Sequence, residues 1–409
     1  MTPDAPTFYG WRVVKACLFI AFIAWSFALY GPSVYINTLS ETRQWPVGDI
    51  STALTFSFLI NAVSIGFVGS IIGRYGPQII MAAGAVMMAA GIVAIGQITQ
   101  PWQAFIAFPM MGLGWSCLST IAVSATIAPW FERYQGKAIS TALLGASLGG
   151  MLGVPITLLL VSWLGFSWAM TTIGIVVVTS VVPISLFVLR RRPEDMGLQA
   201  DGLPLDDTPT VAANRNWTRS QALNTFALRS TIVTFGIALM VQLGFLSQQV
   251  KLLQSFISPT ETAITVLFAG ALAFLGRVLL SRMADRLSVR LIAAVVLLIS
   301  AAGLAVAASA TSATQLILGT LLFGFNVGNL TTLPALIVRR EFGAPSFGKV
   351  FGVTGTFMQF ISALGPAIFG LLHDRTGDYS LAIALAAVLM VFGAALITAQ
   401  QWRAPARQS

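Results

Sequence analysis

Long apolar runs, each of about twenty residues or more and so able to cross roughly 30 Å of hydrocarbon as a helix, recur along the whole chain. Inside a bilayer the backbone must satisfy its own hydrogen bonds, which leaves only helices and closed barrels. Barrel strands would read as short segments of alternating polarity. These runs are rich in Ala, Leu, Ile and Val and are apolar on every side, so they read as helices. With 56% hydrophobic and 9% charged residues among 409, the chain is far from the roughly 25% charged residues of a soluble domain, and a water-soluble fold is excluded.

Breaks at charges and at Gly/Pro clusters place spans at residues 12–38, 47–72, 77–98, 102–128, 136–162 and 166–190. A polar stretch follows, then spans at 228–256, 261–283, 288–309, 313–338, 346–372 and 379–401. The first run is too long for a cleaved signal peptide, and no small-residue cleavage site follows it. The fold class expected is an all-α membrane protein of twelve transmembrane helices in two six-helix repeats. Residues 1–190 form the first bundle, 191–227 a cytoplasmic linker rich in Pro, Asp and Asn, and 228–409 the second bundle.

Charge sets the orientation. Of the 23 Lys and Arg residues, only Arg43, Arg375 and Lys251 fall on one side of this arrangement, Arg277 lies inside a span, and all others fall on the opposite side. The positive-inside rule therefore makes both termini cytoplasmic, in a multi-pass protein of the cell membrane. The same bias accounts for the net charge of +9, so no nucleic-acid partner is needed to explain it. Cys17 and Cys117 lie within spans without metal-ligand spacing, so no disulfide, metal or cofactor is expected. His373 reads as an interfacial histidine at a span end, with a proton relay as the alternative.

The chain also repeats itself. GSIIGRYGPQ at 69–78 aligns with SRMADRLSVR at 281–290, pairing Arg74 with Arg286 at an offset of 212 residues. Gly136-Lys137 meets Gly348-Lys349, Gly112 meets Gly324, and Thr120 meets Thr332 at the same offset. Repetition at one spacing implies two halves of one design, and six spans per half leaves both in the same orientation.

These residues resemble the major facilitator superfamily over nearly the whole chain. The loop after span two in that family carries GxxxDRxGxR. The second copy here keeps Asp285, Arg286 and Arg290 but has Ser281 and Ser288; the first keeps Gly69, Arg74 and Gly76, with Gly73 replacing the acid and Gln78 the last arginine. The resemblance implies gating by Arg74, Asp285, Arg286 and Arg290, with more of it in the second copy. FYGWRVV, GFNVGNLTTLPALIVRREFG and GPAIFGLLHDRTGDYS are similar to the branch of monocarboxylate porters and oxalate/formate exchangers. That branch places a substrate-binding arginine in span eight within a Gly-Arg pair, here Gly276-Arg277.

Charge placement reaches the same residue independently. All 14 Asp and Glu fall in loops or at span ends, leaving Arg277 the one formal charge well inside a helix. Such a charge costs about 2.5–3.5 kcal/mol at the bilayer centre and normally faces a cavity or a partner. A substrate carboxylate gripped by the guanidinium answers this, while snorkelling to the nearby cytoplasmic surface is the alternative. Tyr30, Tyr35, Trp115, Gln242, Asn326, Asn329 and Gln359 are the further candidates for the pocket, and each could instead tie helices together. Glycines 145, 149, 150 and 153 with Pro155, and glycines 352, 355 and 365 with Pro366, suggest close helix approach and bending in spans five and eleven.

The reading that results is a monomeric secondary transporter, not an enzyme, whose halves rock about a small organic anion by alternating access. Porters of the resembling branch carry an acid four residues before the arginine, where this chain has Ala273, and animal members carry a lysine in span one near the place of Gly31. Proton symport thus loses its usual parts, and exchange or uniport gains. Dianion exchangers have a second cation in span eleven where Gln359 stands, so a monocarboxylate is expected. Efflux of another small or drug-like solute is the alternative, and a non-transporting membrane sensor a more distant one.

Overall fold

The computed structural model of the protein describes residues 8–191, 193–202, 217–283 and 287–399. Among the described residues, twelve helices are long and apolar enough to cross a membrane. Spans one to six are Tyr9–Arg43, Val47–Tyr75, Pro77–Gln97, Pro101–Trp130, Gln135–Leu164 and Phe166–Val188. Spans seven to twelve are Phe226–Gln254, Pro259–Leu280, Val289–Ala308, Ala313–Phe342, Ser346–Thr376 and Ser380–Thr398. They match the expected spans one for one. Several run a turn further, as span one does through Ser40–Arg43 and span ten through Arg339–Phe342, because helical hydrogen bonding continues past the last apolar side chain.

The chain forms two compact units, Met1–Pro32 with Ile60–Val211, and Ser33–Leu59 with Ala212–Ser409. The first thirty-odd residues and the segment 33–59 thus pack in different units, a division that apolar run lengths do not reveal.

Within each unit the repeat is visible atom by atom. In the first, Gly91 of span three lies against span four, where an added Cβ would collide with the Met111 amide nitrogen and come within 2.9 Å of the Ala107 carbonyl. In the second, Gly303 of span nine has the same relation to span ten, 2.8 Å from the Phe323 nitrogen and 3.0 Å from the Gly319 carbonyl. Each of these positions is its counterpart's number plus 212. The turns repeat as well. Gln103 caps the start of span four by accepting from the amides of Thr99 and Gln100, and Gln315 caps span ten by accepting from Thr311. Gly165 and Gly377, again paired by the repeat, reverse the chain at φ of 75° and 82°, a left-handed conformation that glycine adopts without a Cβ clash.

Close packing against backbone also joins span five to span one. Gly145 abuts the Leu18 carbonyl, Gly149 the Ser26 nitrogen, Gly150 the Tyr30 ring and Gly153 the Ser26 backbone. In span eleven, Gly365 meets the Met240 carbonyl and the Gly244 nitrogen. Gly352 and Gly355 have open space instead, so close approach at those two positions is corrected. Phe187, Trp163, Trp168 and Val388 are all exposed by more than 60%: Val388 lies mid-span, where lipid is its solvent, and Trp163, Trp168 and Phe187 at span ends, where aromatic rings meet the membrane interface.

Three spans are broken. Span one passes through a π-helical turn at Trp25–Tyr30, closed by the Gly31 amide donating to the Ser26 carbonyl at 2.8 Å. Pro32 explains it: with no N–H to give to the preceding turn, the helix widens rather than leaving carbonyls bare. Span four is interrupted at Cys117–Ser119, and span eleven at Leu364, just before Gly365-Pro366.

Replacing Gly303 by Val forces a branched side chain into the span ten backbone. The expected cost is about 1–3 kcal/mol, read as a lowered thermal midpoint in detergent, with Gly352→Val, which meets nothing within 4 Å, leaving the midpoint unchanged.

Candidate functional site

Arg277 sits in span eight, half-buried, with Nη2 donating to the Gly328 carbonyl of span ten at 3.5 Å, the long end of the hydrogen-bond range. The approach needs glycine at 328, where a Cβ would lie 3.2 Å from the guanidinium Nε. Its neighbour Gly276 is pressed against the Phe325 carbonyl, with Asn329 Nδ2 at 3.3 Å from the position of a Cβ. The Gly-Arg pair therefore docks span eight on span ten and brings Arg277 to the turn that carries Asn329.

The buried amides in the same unit have unsatisfied oxygens. Asn326 and Asn329 on span ten and Gln242 on span seven are 0%, 3% and 3% exposed, and among the described residues Asn326 Oδ1, Asn329 Oδ1 and Gln242 Oε1 meet no donor. Buried polar atoms of this kind are nearly always paired, so each calls for water or a solute. Gln359, half-buried in span eleven, contributes its backbone carbonyl to Ser362. Tyr35 is fully buried in the segment 33–59 of the same unit.

The other candidates belong to the first unit. Trp115 is 6% exposed and meets Trp25 edge-to-face, with centroids 5.9 Å apart. Trp25 opens the π-helical turn and Tyr30 closes it against Gly150, while Trp115 lies in the last turn before the break in span four. Two helix irregularities thus meet at one aromatic pair. The sequence signals for them, Gly31-Pro32 and Ser116-Cys117, are weak on their own.

Of the signature-loop residues, Asp285 and Arg286 lie outside the described residues. Arg74 is exposed, its guanidinium 5.3 Å above the Tyr75 ring. Arg290 is in the first turn of span nine, 7% exposed, and pairs with Glu341 through Nε at 2.6 Å and Nη2 at 2.9 Å. Its remaining donors reach the Ala227 and Ile397 carbonyls and the hydroxyls of Ser230 and Thr231. One guanidinium thereby ties together the ends of spans seven, nine, ten and twelve, a hub that a place in a loop motif did not foretell.

A second polar set, missed in the sequence, lies in the same unit on the side opposite the termini. Gln248 of span seven donates to Ser51 at 2.7 Å and accepts from Tyr379 at 3.0 Å. Asn37 donates to Gln254, Lys251 to Ser40, and the Ala367 amide to Thr55. Asp374 accepts from the Gly48 amide at 2.7 Å, at the start of span two, and its other oxygen lies 3.2 Å from His373 Nδ1. Gly370 permits this contact, since a Cβ there would lie 2.6 Å from Ser51 Oγ. The signal available was only scattered Ser, Thr, Asn and Gln in apolar spans.

A sequence profile of the Major Facilitator Superfamily matches residues 16–247 and again 217–408. The chain belongs to that superfamily. It is a multi-pass membrane transporter and not an enzyme, and the double match agrees with the repeat at 212 residues. This superfamily member is 24% identical to the aspyridones efflux protein apdF of Emericella nidulans, over 91% of this chain and 72% of that one. It is 23% identical to monocarboxylate transporter 11 of Mus musculus, over 92% and 85%. Among solved structures, a bacterial homolog of the human lysosomal transporter Spinster, inward-facing and occupied, superposes with a TM-score of 0.73 at 13% identity, covering 97% of this chain and 98% of that one. A mutant of the nucleoside transporter NupG gives 0.74 at 14%, covering 95% and 98%. These two likenesses establish the fold.

Burial, and then the charge of Asp374, push the Tyr379 phenol above its ordinary value of 10.0. A raised value in the fold means the contribution of this group is intact below pH 10 and is lost as pH climbs beyond it. Tyr379→Phe is expected to flatten the alkaline limb of the stability profile, measured by thermal unfolding between about pH 8 and 11, around the phenol value near 10.

Proposed function

We propose that this transporter carries a small organic anion, a monocarboxylate, across the cell membrane by alternating access, with both termini cytoplasmic and Arg277 as the anion's anchor. The observation that carries the reading is the position of Arg277: a guanidinium within span eight, turned toward span ten at Gly328, with the buried amide of Asn329 against the adjacent Gly276. A planar guanidinium grips a carboxylate through two parallel hydrogen bonds, a geometry that an ammonium does not reproduce. The acceptor oxygens of Asn326, Asn329 and Gln242 in the same unit favour an acid that also carries a hydroxyl or N–H donor. Likeness to monocarboxylate transporter 11 across most of both chains supports the substrate class.

Tyr30, Tyr35, Trp115 and Gln359 are proposed to complete recognition of the solute, and Arg74, Asp285, Arg286 and Arg290 to serve the conformational change. The protein works as a monomer in this reading. A second reading, outward transport of a larger apolar solute, draws support from the likeness to the aspyridones efflux protein and from the aromatic pair Trp25–Trp115.

Arg277→Ala and Arg277→Lys, at equal amounts in the membrane, are expected to weaken uptake of a small monocarboxylate by about 10- to 100-fold, the worth of one charge-assisted interaction. Wild-type uptake by the alanine variant would end the anion reading. Energised extrusion of an apolar dye that is unaffected by Arg277→Ala would favour the efflux reading.

Coupling has its own test in proteoliposomes. Exchange predicts that a labelled anion enters anion-loaded vesicles without a pH gradient, and strict dependence on the gradient would replace exchange with proton symport.

A further inference from the structure

Far from Arg277 in the sequence, the first unit has a basic, partly apolar groove. Tyr9, at the start of span one, donates its hydroxyl to the Val188 carbonyl at the end of span six, 3.0 Å away. The ring so fixed has two guanidinium groups over it, Arg12 at 5.9 Å and Arg191 at 5.4 Å from its centroid. Beside it, Arg12, Lys15, Phe19, Ile184 and Val188 line a groove of about 360 Å³. Arg12, Lys15 and Phe19 follow one another at three- and four-residue steps, which puts them on one face of span one, the cations at the chain-terminal end and the phenyl ring deeper. Arg12 and Lys15 are exposed, and among the described residues neither they nor Arg191 pair with a carboxylate.

The groove is therefore amphiphilic along its length. Its mouth concentrates positive charge at the depth where headgroups lie, and its floor is apolar where acyl chains lie. A soluble anion would satisfy the mouth only, and a neutral lipid the floor only. The ligand that matches both is a phospholipid with net negative charge, the component that basic pockets between membrane helices select.

We propose that the groove between spans one and six binds one anionic phospholipid, its phosphate held by Arg12 and Lys15 and one acyl chain lying along Phe19, Ile184 and Val188. The bound lipid bridges the same two helix ends that the Tyr9–Val188 hydrogen bond joins, so it reinforces the start of span one.

Purified full-length protein in mixed micelles, titrated with phosphatidylglycerol or phosphatidylcholine and read by native mass spectrometry, tests this. Wild type is expected to retain phosphatidylglycerol in preference, and Arg12→Gln with Lys15→Gln to lower that retention by roughly tenfold or more. Arg339→Gln with Lys349→Gln removes the same charge from exposed positions elsewhere and is expected to leave retention unchanged. Ile184→Trp, which fills the floor with both cations intact, is expected to weaken retention as well, and it decides the matter should the double variant fail to fold. Equal retention of the two lipids by wild type, equal loss in the Arg339/Lys349 control, or unaltered retention in Ile184→Trp would overturn the proposal. So would glycerol 3-phosphate competing as well as the intact lipid, since the floor would then contribute nothing.

Discussion

Helices in lipid gain little from pressing apolar surfaces together, because the surrounding chains are as apolar as leucine; what binds them is close contact and hydrogen bonding. The close contacts here are glycines set against opposing backbone. Gly91 on Met111, Gly303 on Phe323, Gly145 on Leu18 and Gly365 on Met240 each bring two helix axes closer than any side chain would allow. The rest of each unit follows from them: the pairing of spans three and four is repeated in nine and ten, and Arg277 reaches span ten because Gly276 and Gly328 have cleared its path.

Hydrogen bonds then distinguish the two arginines that matter in the second unit. Arg290 is the more deeply buried, yet Glu341, two carbonyls and two hydroxyls surround it, so its charge is compensated within the protein. Partnered this fully, a buried cation fixes geometry more than it adds stability. Arg277 is less buried, and its Nη2 reaches the Gly328 carbonyl of span ten at 3.5 Å. The polar set around Gln248, Ser51 and Tyr379 shows the same economy at the opposite side: single hydroxyls and amides, hydrogen-bonded across a helix boundary, hold residues 33–59 to spans seven and eleven.

Spans and repeat were legible in the sequence because both are written in long-range regularities, the length of apolar runs and the constant offset of 212 residues. Arg277 stood out because a lone charge in an apolar run is conspicuous. Arg290 did not, since it lies at a helix start among other basic residues, and its acid partner is fifty-one positions away. The Gln248 set stayed hidden for a different reason. A serine or glutamine in a span looks the same whether it bonds its own turn, as Ser362 does, or reaches another helix, as Gln248 does. Nor did counting glycines separate Gly365, which is in tight contact, from Gly352, which is not.

The widened turn at Trp25–Tyr30 has one more implication. It holds one residue more than an α-helical turn would, so everything beyond Gly31 is rotated by about 100° from where an unbroken helix would aim it. Three of the four span-five glycines press on this same turn, Gly149 and Gly153 on Ser26 and Gly150 on Tyr30, so the surplus residue is clamped at the spot where it arises.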